Sequence, residues 1–280
     1  MADNHSQENL MSILQRIFYK SRKFYDDDFD WNNYTSSSYS RQLDKIGKDY
    51  QMIAEQGELS FDPTTGTVTA GDPPLYENAL AIFELIGQLQ PKSVHEAGCG
   101  GGDHLGNGAT LFPDIIFTGG DRSKTQLELL KNRHPQLVDS VIQQDLTMPF
   151  SNKWPKVQLV YSQAVLMHIH TAVSHFVAFA NMINQSTKHL VLMENYQCHN
   201  FVEEAQALFN GGHTNWPRMK IYRFDGSHGA QIILLSQEDL DYQTLSSDAE
   251  IRHGLTVSNR RLKRGQEDFG RATFGESIRD

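Results

Sequence analysis

Cysteine is scarce in this chain of 280 residues: Cys99 and Cys198 are the only two. Two thiols cannot build the disulfide framework of a small secreted domain, so a reducing compartment is expected. Long apolar runs are missing as well. No stretch approaches the ~18–20 apolar residues that span a bilayer. The polar opening, Met1 to Asn9, lacks the apolar centre of a signal peptide. A cytoplasmic protein without a membrane partner is therefore expected, and the sequons Asn33-Tyr34-Thr35 and Asn184-Gln185-Ser186 carry little meaning. Positive charge is also short, with 25 basic against 34 acidic side chains and a formal charge of −9. That balance argues against broad, sequence-blind binding to nucleic acid, although a local basic patch is compatible with it. The chain does have enough apolar residues for a packed core, 39% against 21% charged. Its length suits either two domains or one large α/β domain.

Three zones are expected: an N-terminal helical or lid segment over 1–74, a main domain over 75–257, and a basic tail over 258–280. The first zone is polar and aromatic-rich with no strong strand pattern. Met11 to Phe24 reads as a short amphipathic helix, and the serine-rich Tyr34 to Ser40 as a flap or a solvated linker. Gly71-Asp72-Pro73-Pro74 is a breaker, followed by a helix from Leu75 to Leu89. From residue 92, short apolar runs alternate with helical stretches. Strands are expected at Ser93–His95, Ile115–Thr118, Ser140–Ile142, Gln158–Tyr161 and His189–Met193. Lys124–Asn132 and Thr171–Ile183 read as intervening helices. Met219–Phe224 and Ala230–Leu235 flank Asp225-Gly226-Ser227-His228-Gly229, whose composition suits a hairpin. Five β-α units and a terminal hairpin define an α/β fold, a doubly wound sheet with helices on both faces. The tail carries Arg260, Arg261, Lys263 and Arg264 and reads as a loose end or an anion-gripping arm.

The most informative run is Val94-His95-Glu96-Ala97-Gly98-Cys99-Gly100-Gly101-Gly102-Asp103. A strand that delivers its end into a glycine-rich turn before a helix lets backbone approach a ligand closely. A dinucleotide fingerprint would need glycine where Asp103 stands. Glu96 would also aim negative charge at a pyrophosphate, which is unfavourable. A cationic ligand without phosphate suits the loop better, and S-adenosylmethionine has those properties. Asp121 ends the second strand, where a carboxylate can accept both ribose hydroxyls. Asp145 follows the third strand, in reach of an adenine amino group. Gln163 ends the fourth strand beneath the glycine loop. Each alone is an ordinary cap or turn residue; in open α/β sheets, however, ligands bind at the carboxyl ends of strands, so the four positions should converge.

On these residues, positions 75–236 resemble the class I S-adenosylmethionine-dependent methyltransferases, with Glu96-Ala97-Gly98-Cys99-Gly100-Gly101-Gly102 matching that family's first motif. The resemblance implies a Rossmann-like, seven-stranded sheet whose last strand is antiparallel. It implies cofactor contacts from Glu96, Ala97, Gly98 and Gly100, from Asp121 with Arg122, and from Asp145 with Leu146. Ser162-Gln163-Ala164-Val165-Leu166-Met167-His168-Ile169 is similar to the corresponding segment of small-molecule members, those methylating sugars and natural products. Tyr39 and Arg41 are positioned to reach the methionine carboxylate from a closing lid, as N-terminal residues do in related enzymes.

The acceptor sets the remaining requirements. An amine needs only its lone pair and a carboxylate needs no base, whereas an aliphatic hydroxyl needs its proton removed by a base or a metal. His168 and His170 follow the fourth strand, Glu194 ends the fifth, and His199 and His213 lie in the later loops. They are candidates for a general base or for a histidine–glutamate site holding a divalent metal such as magnesium. Against each stands the plainer reading of a satisfied core or helix-start group. No H-x-x-x-H or C-x-x-C spacing supports a metal. Oxygen methylation of a saccharide or natural product is the expectation. N- or carboxyl-methylation, RNA methylation and a non-catalytic cofactor-binding module are the alternatives. Ser162-Gln163-Ala164-Val165 lacks the Asn/Asp-Pro-Pro-Tyr/Phe motif of nucleic-acid amino-methylating enzymes. Asp72-Pro73-Pro74-Leu75-Tyr76 comes before the glycine loop and reads as a turn and helix start. The oligomeric state is open, a homodimer being one option.

Overall fold

Alternation of apolar side chains along short strands makes a sheet that must be covered on both faces. The computed structural model describes residues 31–34, 58–71, 75–171 and 173–251. Its elements run α1 (Trp31–Tyr34), β1 (Leu59–Asp62), β2 (Thr67–Ala70), α2 (Glu77–Leu89), β3 (Ser93–Ala97), α3 (Asp103–Leu111), β4 (Ile116–Asp121), α4 (Lys124–Arg133) and β5 (Val141–Gln143). They continue with β6 (Val157–Gln163), α5 (Ser174–Gln185), β7 (Ser186–Met193), α6 (Phe201–Asn210), β8 (Lys220–Asp225), β9 (Gln231–Ser236) and β10 (Gln243–Thr244).

The main sheet has the order β10-β8-β9-β7-β6-β3-β4-β5. Strands β3 to β7 are mutually parallel, and β9, β8 and β10 pair antiparallel beyond β7. This is the doubly wound, Rossmann-like sheet with an antiparallel terminal hairpin that the sequence implied. The two-residue β10 makes eight strands rather than seven. Successive residues feed opposite cores. Leu159, Tyr161, Val191, Ile232 and Leu234 pack with Phe83, Ile86 and Leu105 on one face. Val160, Leu190, Leu192, Ile233 and Leu235 pack with Phe179, Met182 and Phe201 on the other.

One departure lies before the main domain, where residues 59–70 form a separate antiparallel hairpin instead of the strand-free segment expected. Its strands are only four residues long, half polar, and they dock their apolar residues on the core. A Cβ on Gly87 of α2 would lie 2.4 Å from the Phe61 ring, so glycine there lets the hairpin close on the helix. Buried Glu84 of α2 accepts the Val68 N–H at 3.3 Å and the Ser227 N–H at 2.9 Å, tying the hairpin to the β8–β9 turn. Helix α6 was also not anticipated. The expected helix over Met11–Phe24 and the basic tail lie outside the described residues.

A polar string crosses the sheet beneath the strand ends. The His95 ring lies 2.9 Å from Thr118 Oγ1 and 2.8 Å from Gln144 Oε1, and Gln144 Nε2 donates to Gln185 Oε1 at 2.9 Å. Burial lowers the pKa of His95 from its ordinary 6.5 to about 4, opposed by the Gln144 hydrogen bond. The imidazole is therefore neutral in the folded chain at neutral pH, whereas the unfolded chain takes up its proton near pH 6.5. Stability from this group is full above that pH and is lost as the pH falls towards 4. Between pH 7.5 and 5 the loss is about 2 kcal/mol. Urea unfolding at the two pH values should show His95→Gln losing less stability on acidification than the native chain by about that amount. Equal losses would contradict the neutral assignment.

Candidate cofactor crevice and acceptor-side histidines

The chain leaves β3 towards β4 and β5 on one side, then crosses to β6 and β7 on the other. A crevice therefore opens at the carboxyl ends of β3 and β6, the switch point where open α/β sheets bind ligands. The glycine loop lies across it. Gly98 has φ +74, and a Cβ there would meet Val165 Cγ2 at 2.5 Å, so no other residue fits without moving the loop. Gly98 and Cys99 donate to Gly120 O at 2.7 and 3.0 Å, which seats the loop on the end of β4.

Asp121, the last residue of β4, holds the loop from the other side. Its Oδ2 accepts Gly100 N–H at 3.0 Å and its Oδ1 accepts Ser123 N–H at 2.7 Å. Each carboxylate oxygen can accept more than one donor, so this leaves capacity for a diol. Burial raises the Asp121 pKa, with the Ser123 and Gly100 hydrogen bonds and the Arg122 charge pulling it down. Arg122 follows directly, its carbonyl accepting Gln143 Nε2 at 3.3 Å. Glu96 is buried, and its Oε2 has no hydrogen-bond partner among the described residues. Its pKa is raised well above the carboxylate range by burial, opposed by the Tyr161 hydroxyl, with the charges of Asp103 and Asp121 adding to the rise. Ala97 sits beside it, paired in register with Gly120 and Ser162. The Gln163 Oε1 at the end of β6 is likewise buried without a hydrogen-bond partner among the described residues. Asp145 accepts Thr147 N–H and Oγ1–H at 3.0 and 2.6 Å, and the Leu146 carbonyl takes the Asn181 amide at 2.7 Å, fixing the turn after β5.

Asp103, read in the sequence only as an obstacle to a dinucleotide fingerprint, ties two helices together through one oxygen. Its Oδ1 accepts Arg133 Nη2 at 2.9 Å and lies 3.0 Å from His134 Nε2, joining the starts of α3 and the end of α4. Buried Glu96 and half-buried Asp121 stand at the two strand ends that carry the loop.

The N-terminal segment reaches this crevice. Asn32 Oδ1 accepts Ser123 Oγ at 2.9 Å and Thr125 Oγ1 at 3.1 Å, while the Trp31 ring lies edge-on to His168 with centroids 5.2 Å apart. Helix α1 thereby bridges the loop after β4 and the loop after β6. Tyr39 and Arg41, expected on such a lid, lie outside the described residues.

Two of the expected catalytic residues have other partners. Glu194, expected near the acceptor, is fully buried. It accepts Ser162 Oγ at 2.8 Å and the N–H groups of Val165, Leu166 and Met167 at 3.0–3.2 Å. It is the anchor of the turn after β6, holding Ala164 at φ +55, a left-handed conformation costly for a residue with a Cβ. Burial lifts its pKa to about 7 against the pull of these donors. His199 places Nε2 3.1 Å from Leu166 O. Its pKa is lowered to about 4 by burial and by His175. His168 faces Trp31, and the buried His170 ring stacks 6.0 Å from His199. His213 sits apart, its carbonyl accepting Asn184 Nδ2. The residues that do meet are His175, His199 and Glu204, of which the sequence had marked only His199. The other two lie on α5 and α6, and neither spacing nor composition connects them.

The strand order and this loop define a Rossmann-like α/β fold. No protein-family model matches the chain, and no curated protein matches it in sequence. Among solved structures it is similar to the magnesium protoporphyrin IX methyltransferase ChlM from Synechocystis PCC 6803 with bound SAM, at 14% identity over 79% of this chain and 100% of that one, TM-score 0.48. It is also similar to CalS10, an amino pentose methyltransferase from Micromonospora echinaspora involved in calicheamicin biosynthesis, at 20% identity over 43% of this chain and 51% of that one, TM-score 0.37. A third is DesVI of Streptomyces venezuelae, at 18% identity over 42% of this chain and 50% of that one, TM-score 0.36. The chain spans about half the length of CalS10 and DesVI. No described helix is long and apolar enough to cross a membrane.

The anchoring role of Glu194 is open to measurement. Glu194→Gln turns an acceptor into a donor facing N–H groups and should destabilise the fold by about 1–3 kcal/mol in urea unfolding. An unchanged midpoint would remove Glu194 from that role.

Proposed function

We propose that this chain binds S-adenosylmethionine in the crevice and transfers its methyl group to a hydroxyl of a small molecule, a saccharide or saccharide-like natural product being the preferred class. The observation that carries the reading is the pair of acids at the ends of β3 and β4, buried Glu96 with an unpartnered oxygen and half-buried Asp121 on the glycine loop. A cation without phosphate favours the ionised form of these acids, whereas a pyrophosphate opposes it. Glu96 and Gln163 would take the ammonium end, Gly98 to Gly100 the methionine backbone, Asp121 with Arg122 the ribose edge, and Asp145 with Leu146 the adenine. Once bound, the sulfonium supplies a methyl group on an activated leaving group.

The chain's own residues would align the acceptor, exclude water and accept a proton. Alignment alone is worth ~7–11 kcal/mol in favourable cases. Trp31 and Asn32 close the crevice from above, and Tyr39 and Arg41 would extend that cover. His170 is assigned as the general base for a hydroxyl, with His168 as the wall contact of Trp31. The acidic balance of the chain favours a small acceptor over a polynucleotide.

Three measurements test the reading. Calorimetry should show S-adenosylmethionine binding that Asp121→Ala weakens by roughly 10- to 100-fold, as expected for hydrogen bonds to a charged group. Because a cation favours the ionised form of Glu96, binding should release protons and tighten as the pH rises. His170→Ala should lower kcat by about 10²–10⁴ with cofactor affinity unchanged. Tighter binding of a dinucleotide than of S-adenosylmethionine would overturn the cofactor assignment. Binding with no product across hydroxyl, amine and carboxyl acceptors would identify a non-catalytic module instead.

A further inference from the structure

We propose that His175, His199 and Glu204 form a binding site for a single zinc-class divalent transition-metal ion, between the first turns of α5 and α6. Their ligand atoms all lie within 4.8 Å of one another, and all three side chains are buried. His175 Nε2 is already 3.4 Å from Glu204 Oε1. An ion held at about 2.0–2.2 Å by tetrahedral ligands keeps those ligands roughly 3.3–3.6 Å apart. One edge of the site therefore has its final length, and the others need a contraction of at most about an ångström and a half.

Hydrogen bonding prepares the donors. His199 Nε2 faces a carbonyl, Leu166 O, which can only accept, so Nε2 carries the proton and Nδ1 the lone pair. That Nδ1 is buried with no hydrogen-bond partner among the described residues, and so is Glu204 Oε2. A ligating imidazole usually donates its other N–H to a carbonyl or carboxylate in this way, which fixes its tautomer and orientation. Two buried lone-pair atoms with nothing to accept from are costly unless a donor or a cation meets them. The cation proposed here fills that role for both.

The donor set selects the ion. Two imidazoles and one carboxylate suit zinc, cobalt or nickel, whereas magnesium and calcium take oxygen ligands. The magnesium suggested by the sequence is therefore the wrong class for these residues. The His175 and His199 rings now stack at 14°, with centroids 4.3 Å apart. Parallel rings cannot both aim in-plane lone pairs at one ion, so binding requires one ring to turn about its Cβ–Cγ bond. Through the Leu166 carbonyl the ion would brace the turn after β6, whose other side is held by Glu194. Three protein ligands leave a fourth position for water. This proposal does not rest on the methyl-transfer reading.

The test uses the full, tag-free chain stripped with a chelator and titrated with Co²⁺, then Zn²⁺. A single equivalent of Co²⁺ should produce the visible ligand-field bands of a four-coordinate nitrogen–oxygen site, bleached by a single equivalent of Zn²⁺. Glu204→Gln should weaken Co²⁺ binding by roughly 10- to 100-fold or more, and His213→Ala should leave it unchanged. Absence of the bands in the native chain overturns the proposal, as does equal affinity in Glu204→Gln. Should a variant not fold, the native titration is decisive by itself. Calorimetry with S-adenosylmethionine on the same stripped samples reports separately on the cofactor reading, so the two can fail independently.

Discussion

At the end of a parallel strand the backbone has no further sheet partner, and the loop that follows must find its hydrogen bonds elsewhere. In this protein buried carboxylates supply them. Asp121 at the end of β4 accepts the Gly100 and Ser123 N–H groups. Glu194, just past β7, accepts the N–H groups of Val165, Leu166 and Met167 together with the Ser162 hydroxyl. The first seats the glycine loop and the second seats the turn after β6. These two loops touch where Gly98 meets Val165. The walls of the crevice are thus set by acids that belong to neighbouring strands rather than to the loops themselves.

The same device separates binding from support. An acid whose oxygens are filled by backbone donors, such as Glu194, holds shape. Asp121 retains accepting capacity beyond its two N–H groups, and Glu96 has an oxygen with no partner among the described residues. Asp103, only a few residues from Glu96, gives one oxygen to Arg133 and His134 at the end of α4. Acids of identical chemistry therefore do different work, according to which donors the fold brings to them. The crevice keeps acceptor oxygens open, and the turn behind it fills those of Glu194.

On the acceptor side the histidines divide in a similar way. His168 packs edge-on against Trp31, while His170, His199 and His175 form a stacked series leading inwards to Glu204. The outer end of that series lies on the loop after β6, and its inner end lies between two helices. The His199 contact with Leu166 O joins the inner end of the series to that loop.

Much of this architecture was legible in the chain. The strands β3 to β9, the helices α2, α4 and α5, and the glycine loop with its acids at successive strand ends follow from local signals. Hydrophobic period, turn composition and the order of elements act over a few residues and survive without tertiary context. The direction in which a strand-end side chain points is not local. Glu194 looks the same in sequence whether it faces an acceptor or a turn, and Asp103 looks the same whether it faces a ligand or an arginine. The hairpin over 59–70 escaped notice because its strands are only four residues long and pack on α2, a distant partner in sequence. His175 and Glu204 escaped because they are 29 positions apart in sequence. Only the packing of α5 against α6 brings them together. Sequence alone determined the sheet, its crevice and the charge of the loop, since each is written in neighbouring residues. Tertiary packing decided which acids remain available and which histidines meet, since both depend on donors and ligands contributed from distant parts of the chain.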